Sequence, residues 1–141
     1  MATTPLDPVA LAEDLCLIDS TSGREGEVVA FAEGLLGGRG WLTTRIPVTP
    51  GRDALLATAG EMPWVTLSTH LDTVPPFIPP RREGGRLWGR GTCDAKGIAA
   101  AMICAAERLR PDGRSVALLF VVGEETAHDG AQAANRWAQA N

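Results

Sequence analysis

The sequence predicts an α/β fold with a mixed, mainly parallel sheet flanked by helices on both faces. Two apolar segments of strand type, 64–69 and 116–122, are separated by an alanine-rich segment with helical spacing, 95–109. A strand, a helix and a second strand in this order form a right-handed crossover with parallel strands. Both strands would therefore end at one edge of the sheet, where the polar residues that follow them can share a crevice.

Two further helices are predicted near the N-terminus. Asp7 and the proline after it are a typical helix start, and an apolar face follows over residues 8–18. Ser22 and Glu25 have the spacing of a capping box, which would begin a second helix that ends at Gly37. The shorter predicted elements are hairpin strands at 41–48 and 54–58, a proline-rich loop at 74–80, a short strand at 86–88, a turn at 111–113 and a helix at 130–139.

Length and composition favour a single globular domain. The chain has 141 residues, of which 45% are apolar and 21% charged, and this balance excludes a disordered chain. A net charge of -4 offers no field for a phosphate backbone, so nucleic acid is not an expected partner. No apolar run approaches a membrane span, and the first residues lack the basic and apolar segments of a signal peptide. Three cysteines without a CxxC pair indicate reduced thiols and a cytoplasmic location.

His70 and Asp72 follow the first strand of the predicted crossover. Residues two apart in an extended segment point to the same side, so the Asp72 carboxylate can reach a ring nitrogen of His70. A histidine that binds a metal commonly donates its other N–H to a carboxylate. A polar pair at a strand end, without any metal, is the alternative interpretation of this His-x-Asp pattern.

Three more carboxylates are expected at the same edge. Asp94 precedes the alanine-rich helix and would face the crevice, although capping that helix is its simpler role. Glu124 and Glu125 directly follow the second strand, where adjacent like charges repel each other unless solvent or a cation takes them up. One of the two would bind metal while the other moves a proton. An exposed acidic turn is the alternative for the pair.

Three blocks of the sequence together resemble a known family. They are His70-Leu71-Asp72-Thr73-Val74-Pro75, then Gly89-Arg90-Gly91-Thr92-Cys93-Asp94-Ala95-Lys96-Gly97, then Gly123-Glu124-Glu125 with Gly130-Ala131. In this order they resemble the zinc-dependent hydrolases that include acetylornithine deacetylase, succinyl-diaminopimelate desuccinylase, carboxypeptidase G and the aminoacylases. The segment from Ser20 to Glu25 is also similar to the early helix start of that family.

The resemblance implies a zinc-peptidase-like catalytic domain and a role for each site residue. His70 would bind one metal ion, Asp94 would bridge two, and Glu125 would bind the other. Glu124 would be the general base and acid, and Asp72 would orient His70. Family members usually carry two zinc ions, sometimes replaced by cobalt, and cleave an amide between an acyl group and an amino acid. The expected substrate is therefore an N-acyl amino acid or a short peptide.

The resemblance also implies that residues 1–141 are the N-terminal part of a catalytic domain. Complete members continue further, with another carboxylate ligand, a late histidine and a smaller domain for dimerisation and closure over substrate. These parts have no counterpart in the sequence, so we expect a weakly active or inactive chain. A homodimer is a candidate state of the full-length protein. His128 is the remaining histidine and is expected to be an exposed loop residue.

Other functions compete with this one. Cys93 suggests a cysteine nucleophile near His70, but the acidic Asp72 and Asp94 disfavour a thiolate. A folded remnant or partner-binding piece is the non-enzymatic alternative, and a dipeptidase or carboxypeptidase is the alternative within the hydrolase class. Four arginines could steer an anionic substrate toward the crevice, although scattered surface arginines are the simpler interpretation: Arg81, Arg82, Arg86 and Arg90.

Overall fold

The computed structural model describes residues 4–60, 62–112 and 114–141, and within them four α-helices and six strands form. The helices are α1 (Pro8–Leu17), α2 (Gly26–Gly38), α3 (Lys96–Leu109) and α4 (Asp129–Ala140). The strands are β1 (Leu42–Thr49), β2 (Arg52–Thr58), β3 (Val65–His70), β4 (Arg81–Glu83), β5 (Arg86–Trp88) and β6 (Val116–Val121). A 3-10 turn covers Arg110–Asp112, whereas the last residue of the turn predicted at 111–113 lies outside the described residues.

The central sheet contains four strands in the order β1-β2-β6-β3. β3 and β6 pair in parallel, with His70 opposite Val121, and α3 lies between them in the chain. This confirms the predicted crossover and the mixed sheet. β1–β2 and β2–β6 are antiparallel pairs. Antiparallel pairs therefore outnumber the parallel one, contrary to the expected parallel majority, because the hairpin places β2 beside β6.

Helices cover both faces of the sheet, as predicted. The apolar residues of α1, α2 and α3 form one core cluster with β2 and β6, and α4 forms a second cluster on the opposite face with β1 and β2. Along β6, Leu118 and Phe120 belong to the first cluster and Val121 to the second, as the alternation of a strand requires. β6 is therefore buried on both faces and reaches polar surroundings only where it ends, at the glutamate pair.

The starts of α1 and α2 differ in how far along the sequence their hydrogen-bond partners lie. Asp7 caps α1 as predicted, and its carboxylate accepts a hydrogen bond from Val9 N at 2.9 Å. The predicted capping box of the second helix is wrong, because α2 begins at Gly26 and Ser22 Oγ donates to a distant carboxylate, Asp72. Glu25 is fully buried and forms an ion pair elsewhere in the chain.

The proline-rich segment at 74–80 lies outside the central sheet, as predicted. It leads into β4 and β5, which pair with each other as a separate two-stranded sheet. The short strand β5 was expected from the sequence, whereas β4 was not. In the described part of the chain, no helix has both the length and the apolar character needed to cross a bilayer.

Candidate metal centre

His70 is the last residue of β3 and lies at the edge of the sheet where β6 also ends. Its side chain is buried, with 9% exposed. Nδ1 lies 2.9 Å from the carbonyl oxygen of Asp72 and 3.4 Å from Asp72 Oδ1. Nε2 lies 2.8 Å from Asp94 Oδ1 and 3.6 Å from Glu124 Oε2. Asp72 therefore holds one ring nitrogen, while the other faces the remaining carboxylates.

Asp94 lies in the loop before α3 and does not cap that helix. α3 begins at Lys96, and its N-cap residue, Ala95, makes no side-chain capping bond. The loop turns tightly at this point, since Lys96 N donates to Gly91 O at 2.8 Å. The Asp94 side chain is 70% exposed and its carboxylate contacts His70. Asp94 is thus free of the helix and available to a ligand in the crevice.

The glutamate pair completes the group. Ligand atoms of His70, Asp94 and Glu125 all lie within 4.8 Å of one another. Glu124 lies beside them and is also half-buried, with Oε2 near the His70 ring. The three blocks of the sequence thus bring their imidazole and carboxylates to one edge of the sheet, although 55 positions separate His70 from Glu125 in the chain.

Asp72 supports the group from the interior of the protein. It is fully buried, and its two oxygens accept hydrogen bonds from Glu124 N and Glu125 N, both at 3.0 Å. Oδ2 also accepts from Ser22 Oγ at 2.6 Å. Asp72 therefore fixes the backbone of both glutamates as well as the ring of His70, and the His-x-Asp pattern indicated only the contact with the ring.

The close charges shift several pKa values. Hydrogen bonding to Asp72, opposed by burial and reinforced by Asp94, raises the pKa of His70 to about 9. Burial opposes the ionisation of Asp72, but hydrogen bonds from His70, Ser22 and the two glutamate amides together lower its pKa below the usual range. Burial, followed by repulsion from Asp94, raises the pKa of Glu125. A cation in the crevice would remove this repulsion and keep the carboxylates ionised.

The donor set fits a divalent metal ion. One imidazole nitrogen with carboxylate oxygens is the type of ligand set that hydrolytic zinc sites use. Zinc bonds to these atoms are about 2.0–2.2 Å long, so ligands on one ion lie roughly 3–4 Å apart, close to the spread of at most 4.8 Å found here. Within residues 4–60, 62–112 and 114–141 this is the one group of three candidate ligands.

Residues outside the three blocks also shape the site, and no sequence pattern assigned them to it. Ser22 binds Asp72, and the Glu25 carboxylate accepts a hydrogen bond from Gly123 N at 3.1 Å. Arg52 forms an ion pair with Glu25, with 2.8 Å between Arg52 Nε and Glu25 Oε2. Ser22 and Glu25 were assigned to a capping box, and a lone arginine in a hairpin has no recognisable pattern.

Other candidates from the sequence lie apart from the centre. His128 is exposed in a left-handed turn, as expected for a loop residue, and belongs to no metal-binding group in the described chain. Cys93 is a free, exposed thiol next to Asp94 in the chain. Three of the four arginines expected to steer substrate have partners within the protein, since Arg81 pairs with Glu83, Arg82 pairs with Glu13, and Arg90 donates to a backbone carbonyl of the proline-rich segment.

The match to a family profile decides how this chain is classified. Residues 66–139 match the profile described as Peptidase family M20/M25/M40. The chain belongs to this peptidase family. The matched residues include the whole candidate centre, and the family resemblance inferred from the three blocks is confirmed.

Curated relatives of this M20/M25/M40 family chain include two kinds of hydrolase. A probable carboxypeptidase from Aspergillus clavatus is 39% identical over 136 residues, covering 85% of this chain and 30% of the relative. A succinyl-diaminopimelate desuccinylase from Gluconobacter oxydans is 35% identical over 151 aligned positions, covering 96% of this chain and 40% of the relative. The chain thus spans 30–40% of the length of these two relatives.

Solved structures agree on the fold of this family member. A tripeptidase from Staphylococcus aureus superposes with a TM-score of 0.75 at 21% identity, covering 92% of this chain and 40% of that one. A Bacillus subtilis protein described as a dinuclear metal-binding peptidase of the M20 family superposes with a TM-score of 0.67 at 16% identity, covering 95% and 39% of the two chains. At these identities the likeness establishes the fold alone.

Proposed function

We propose that the chain carries part of the active site of a metal-dependent amide hydrolase. In this proposal His70, Asp94 and Glu125 hold zinc, with cobalt as a possible replacement, and Asp94 bridges two ions. The observation that carries the proposal is the convergence of their ligand atoms within 4.8 Å from three distant segments. A second ion needs ligands in addition to these three, and we assign them to the part of the longer relatives that has no counterpart in 141 residues.

The tautomer of His70 supports a metal ligand at Nε2. The Asp72 carbonyl oxygen can only accept a hydrogen bond, so Nδ1 at 2.9 Å must carry the proton. The other nitrogen of a neutral ring then has a free lone pair and faces Asp94. The positioning of a ligating histidine by a hydrogen bond at its second nitrogen is the usual arrangement around protein-bound metals.

Glu124 has the position expected of the proton carrier. A zinc ion bound at the centre would polarise an amide carbonyl and lower the pKa of a nearby water. The Glu124 carboxylate lies beside the ligand group, 3.6 Å from His70 Nε2, and its backbone is fixed by Asp72. It would accept a proton from the attacking water and deliver it to the leaving amine, a task for which a positioned carboxylate contributes about 10²–10⁴-fold.

Deacylation of an N-acyl amino acid is the reaction that we propose, with acetylornithine deacetylase-like chemistry as its specific form. The desuccinylase among the relatives supports this choice. Hydrolysis of a dipeptide or of a C-terminal peptide bond is the second candidate, supported by the probable carboxypeptidase. A cytoplasmic location, supported by three free cysteines, and a homodimeric full-length protein belong to the same proposal.

Zinc titration tests the metal site directly. We expect the wild-type chain to bind zinc in titration calorimetry, and His70→Ala to weaken the affinity by at least about 100-fold, more than the loss of a supporting residue. His128→Ala is the matched control, because it removes the other histidine, which is exposed and outside the ligand group. Equal zinc affinity of wild type and His70→Ala would refute the proposed centre.

Activity separates the hydrolase from a non-catalytic remnant. A protein of the relatives' length that contains this sequence should release amino acids from N-acyl amino acids or dipeptides. Glu124→Gln should lower kcat by about 10²–10⁴-fold while zinc content is unchanged, because glutamine cannot accept the proton. A cysteine hydrolase would instead lose activity with Cys93→Ser and would tolerate a chelator.

A further inference from the structure

The loop that carries the two site glutamates is held in place by hydrogen bonds from its backbone amides. Gly123 N, Glu124 N and Glu125 N are three successive amides, and each donates to a carboxylate that is itself fully buried. Gly123 N donates to Glu25 Oε1 at 3.1 Å, whereas the other two donate to the oxygens of Asp72. Asp72 belongs to the candidate centre, but Glu25 comes from the start of α2, and its hydrogen bonds in the described residues go to Gly23, Arg52 and Gly123, none of them through a proposed ligand side chain.

Arg52 neutralises and fixes Glu25. Arg52 Nε and Nη2 donate to the two oxygens of Glu25, at 2.8 and 2.9 Å, in a bidentate pair. Gly23 N donates to Glu25 Oε2 at 3.0 Å, so both oxygens accept two hydrogen bonds each. A buried carboxylate with this full set of donors has one orientation, and it presents Oε1 to the glutamate loop.

The same guanidinium also binds the far side of the loop. Arg52 Nη1 lies 2.8 Å from Asp129 Oδ2, and Nη2 lies 3.4 Å from Asp129 Oδ1. Asp129 is the first residue of α4, and its Oδ1 accepts a hydrogen bond from Gly130 N at 3.0 Å. Arg52 therefore joins the start of β2 to the starts of α2 and α4, the two helices on either side of the glutamate loop.

Gly123 fits directly against this ion network. Its φ is +68°, a conformation that glycine adopts without strain. A Cβ at this position would lie 2.0 Å from Asp129 Oδ1 and 2.8 Å from Arg52 Nη2. The network thus fills the space beside Gly123. A shift of Arg52 would alter both the hydrogen bond that Glu25 accepts from Gly123 N and the packing against the loop.

We infer that Arg52 and Glu25 are positioning residues for the metal centre. They hold the Gly123 amide so that the next two residues place the Glu124 and Glu125 carboxylates beside His70. The inference has two parts. That Arg52 and Glu25 order the loop is independent of any metal, whereas the tighter metal binding that follows from an ordered loop rests on the proposed function. Metal ligands must be held within about 0.5 Å of their productive geometry, so a loosened loop weakens binding even when every ligand is present.

Variants at Arg52 test the inference, with a control on the same hairpin. Arg52→Met removes the side-chain donors to Glu25 and Asp129 and leaves only the backbone amides, whereas Arg52→Lys keeps the charge but cannot form the bidentate pair. Arg45→Met is the matched control, because Arg45 of β1 also pairs with two carboxylates but lies near the surface and does not contact the glutamate loop.

Two readouts separate positioning from general stability. The first is hydrogen exchange of backbone amides in the metal-free chain, followed by NMR. For Arg52→Met we expect protection of Gly123, Glu124 and Glu125 to fall at least tenfold more than that of the β6 amides. The second is the affinity for cobalt, followed by its visible spectrum, which we expect to fall about 10–100-fold. Arg52→Lys should be intermediate in both readouts, and Arg45→Met should match the wild type.

Each outcome decides the matter. Unchanged loop protection and unchanged cobalt affinity in Arg52→Met would overturn the inference, and so would an equal loss of protection throughout the chain, which indicates general destabilisation. If Arg52→Met does not fold, wild-type values for Arg52→Lys would overturn it. If the wild-type chain binds no cobalt, the proposed function fails, but selective loss of protection in the three amides would still establish that Arg52 orders the loop.

Discussion

The protonation of His70 links metal binding to pH. Its pKa is raised to about 9, chiefly by Asp72, so the ring is charged at neutral pH in the metal-free chain. A metal ion binds the neutral ring and must displace a proton. We therefore expect the apparent zinc affinity to rise about tenfold per pH unit below pH 9 and to level off above it. Calorimetry at pH 6, 7 and 8, in buffers of different ionisation enthalpy, measures both the affinity and the proton release, and a flat profile would contradict this expectation.

The same proton also affects stability, with a definite sign. The folded pKa of His70 is above the unfolded value of about 6.5, so protonation favours the folded state. The contribution is fully present below pH 6.5 and is lost as the pH rises through about 9. The melting temperature of the metal-free chain should therefore decrease between pH 6.5 and 8, and saturating zinc should remove much of that decrease. Above pH 8 Lys96 acts in the opposite direction, because burial lowers its pKa to about 8 and the folded state gains stability as that proton is lost. An increase in melting temperature between pH 6.5 and 8 without metal would show that the ring is not held as described.

Asp72 is expected to be the residue whose substitution costs most at the site. Asp72→Asn replaces one acceptor oxygen with a donor, which then faces an amide N–H of the glutamate loop or the Ser22 hydroxyl. Buried hydrogen bonds to a charged group contribute about 1.5–3 kcal/mol each, so a loss of about 2–3 kcal/mol in unfolding free energy is expected. Urea denaturation measures it. Asp19→Asn, at a partly exposed carboxylate that also accepts a backbone amide, should cost under about 1 kcal/mol.

At the scale of single elements, the start of α3 depends on a close backbone contact. A Cβ on Gly97 would lie 2.1 Å from Thr92 O, so Gly97→Ala must move the loop that carries Asp94. We expect a loss of about 3 kcal/mol in unfolding free energy and weaker zinc binding. Gly34→Ala in α2 is the control, since its Cβ meets nothing within 4 Å and alanine should stabilise the helix by about 0.5–1 kcal/mol. Equal effects of the two changes, measured by urea denaturation, would contradict the described contact.

The elements also show which contacts a sequence can reveal. Asp7 was predicted as a cap because its partner is two residues away. The capping box failed because Ser22 binds a partner 50 residues away and Glu25 one 27 residues away, and no local pattern specifies either distance. Lys96 is similar: it lies in a recognisable block, yet its burial and the hydrogen bond from Nζ to Ile18 O, 78 residues away, follow only from the assembled fold.

At the scale of the whole molecule, one topological rule predicted where the site forms. Parallel strands joined by a crossover end at one edge of a sheet, and β3 and β6 do so, which brings His70 and the glutamates together. The strand order was less predictable, because the hairpin of β1 and β2 could pair with either β3 or β6. Its position beside β6 places Arg52 against the glutamate loop, and this explains why the support of the site was missed while its ligands were proposed.

Strand order also leaves two edges of the sheet with different protection. β1 carries Arg45 and Pro47 and an irregular register near its end, features that discourage pairing with another chain. β3 forms the opposite edge and has no charged residue or proline before His70. Just before it, Trp64 is 84% exposed. In the described part of the chain β3 is therefore the less protected edge.

We expect the isolated 141-residue chain to associate through β3 as its concentration rises. Ser68→Lys places a charge on an exposed position of that strand and should shift the equilibrium toward the monomer. We expect the dissociation constant to rise about tenfold, which corresponds to about 1.4 kcal/mol of association free energy. Thr43→Lys adds the same charge to β1 and should change little, because that edge is already protected. Sedimentation velocity over a hundredfold concentration range measures the effect, and equal behaviour of the two variants would show that association, if present, does not use β3.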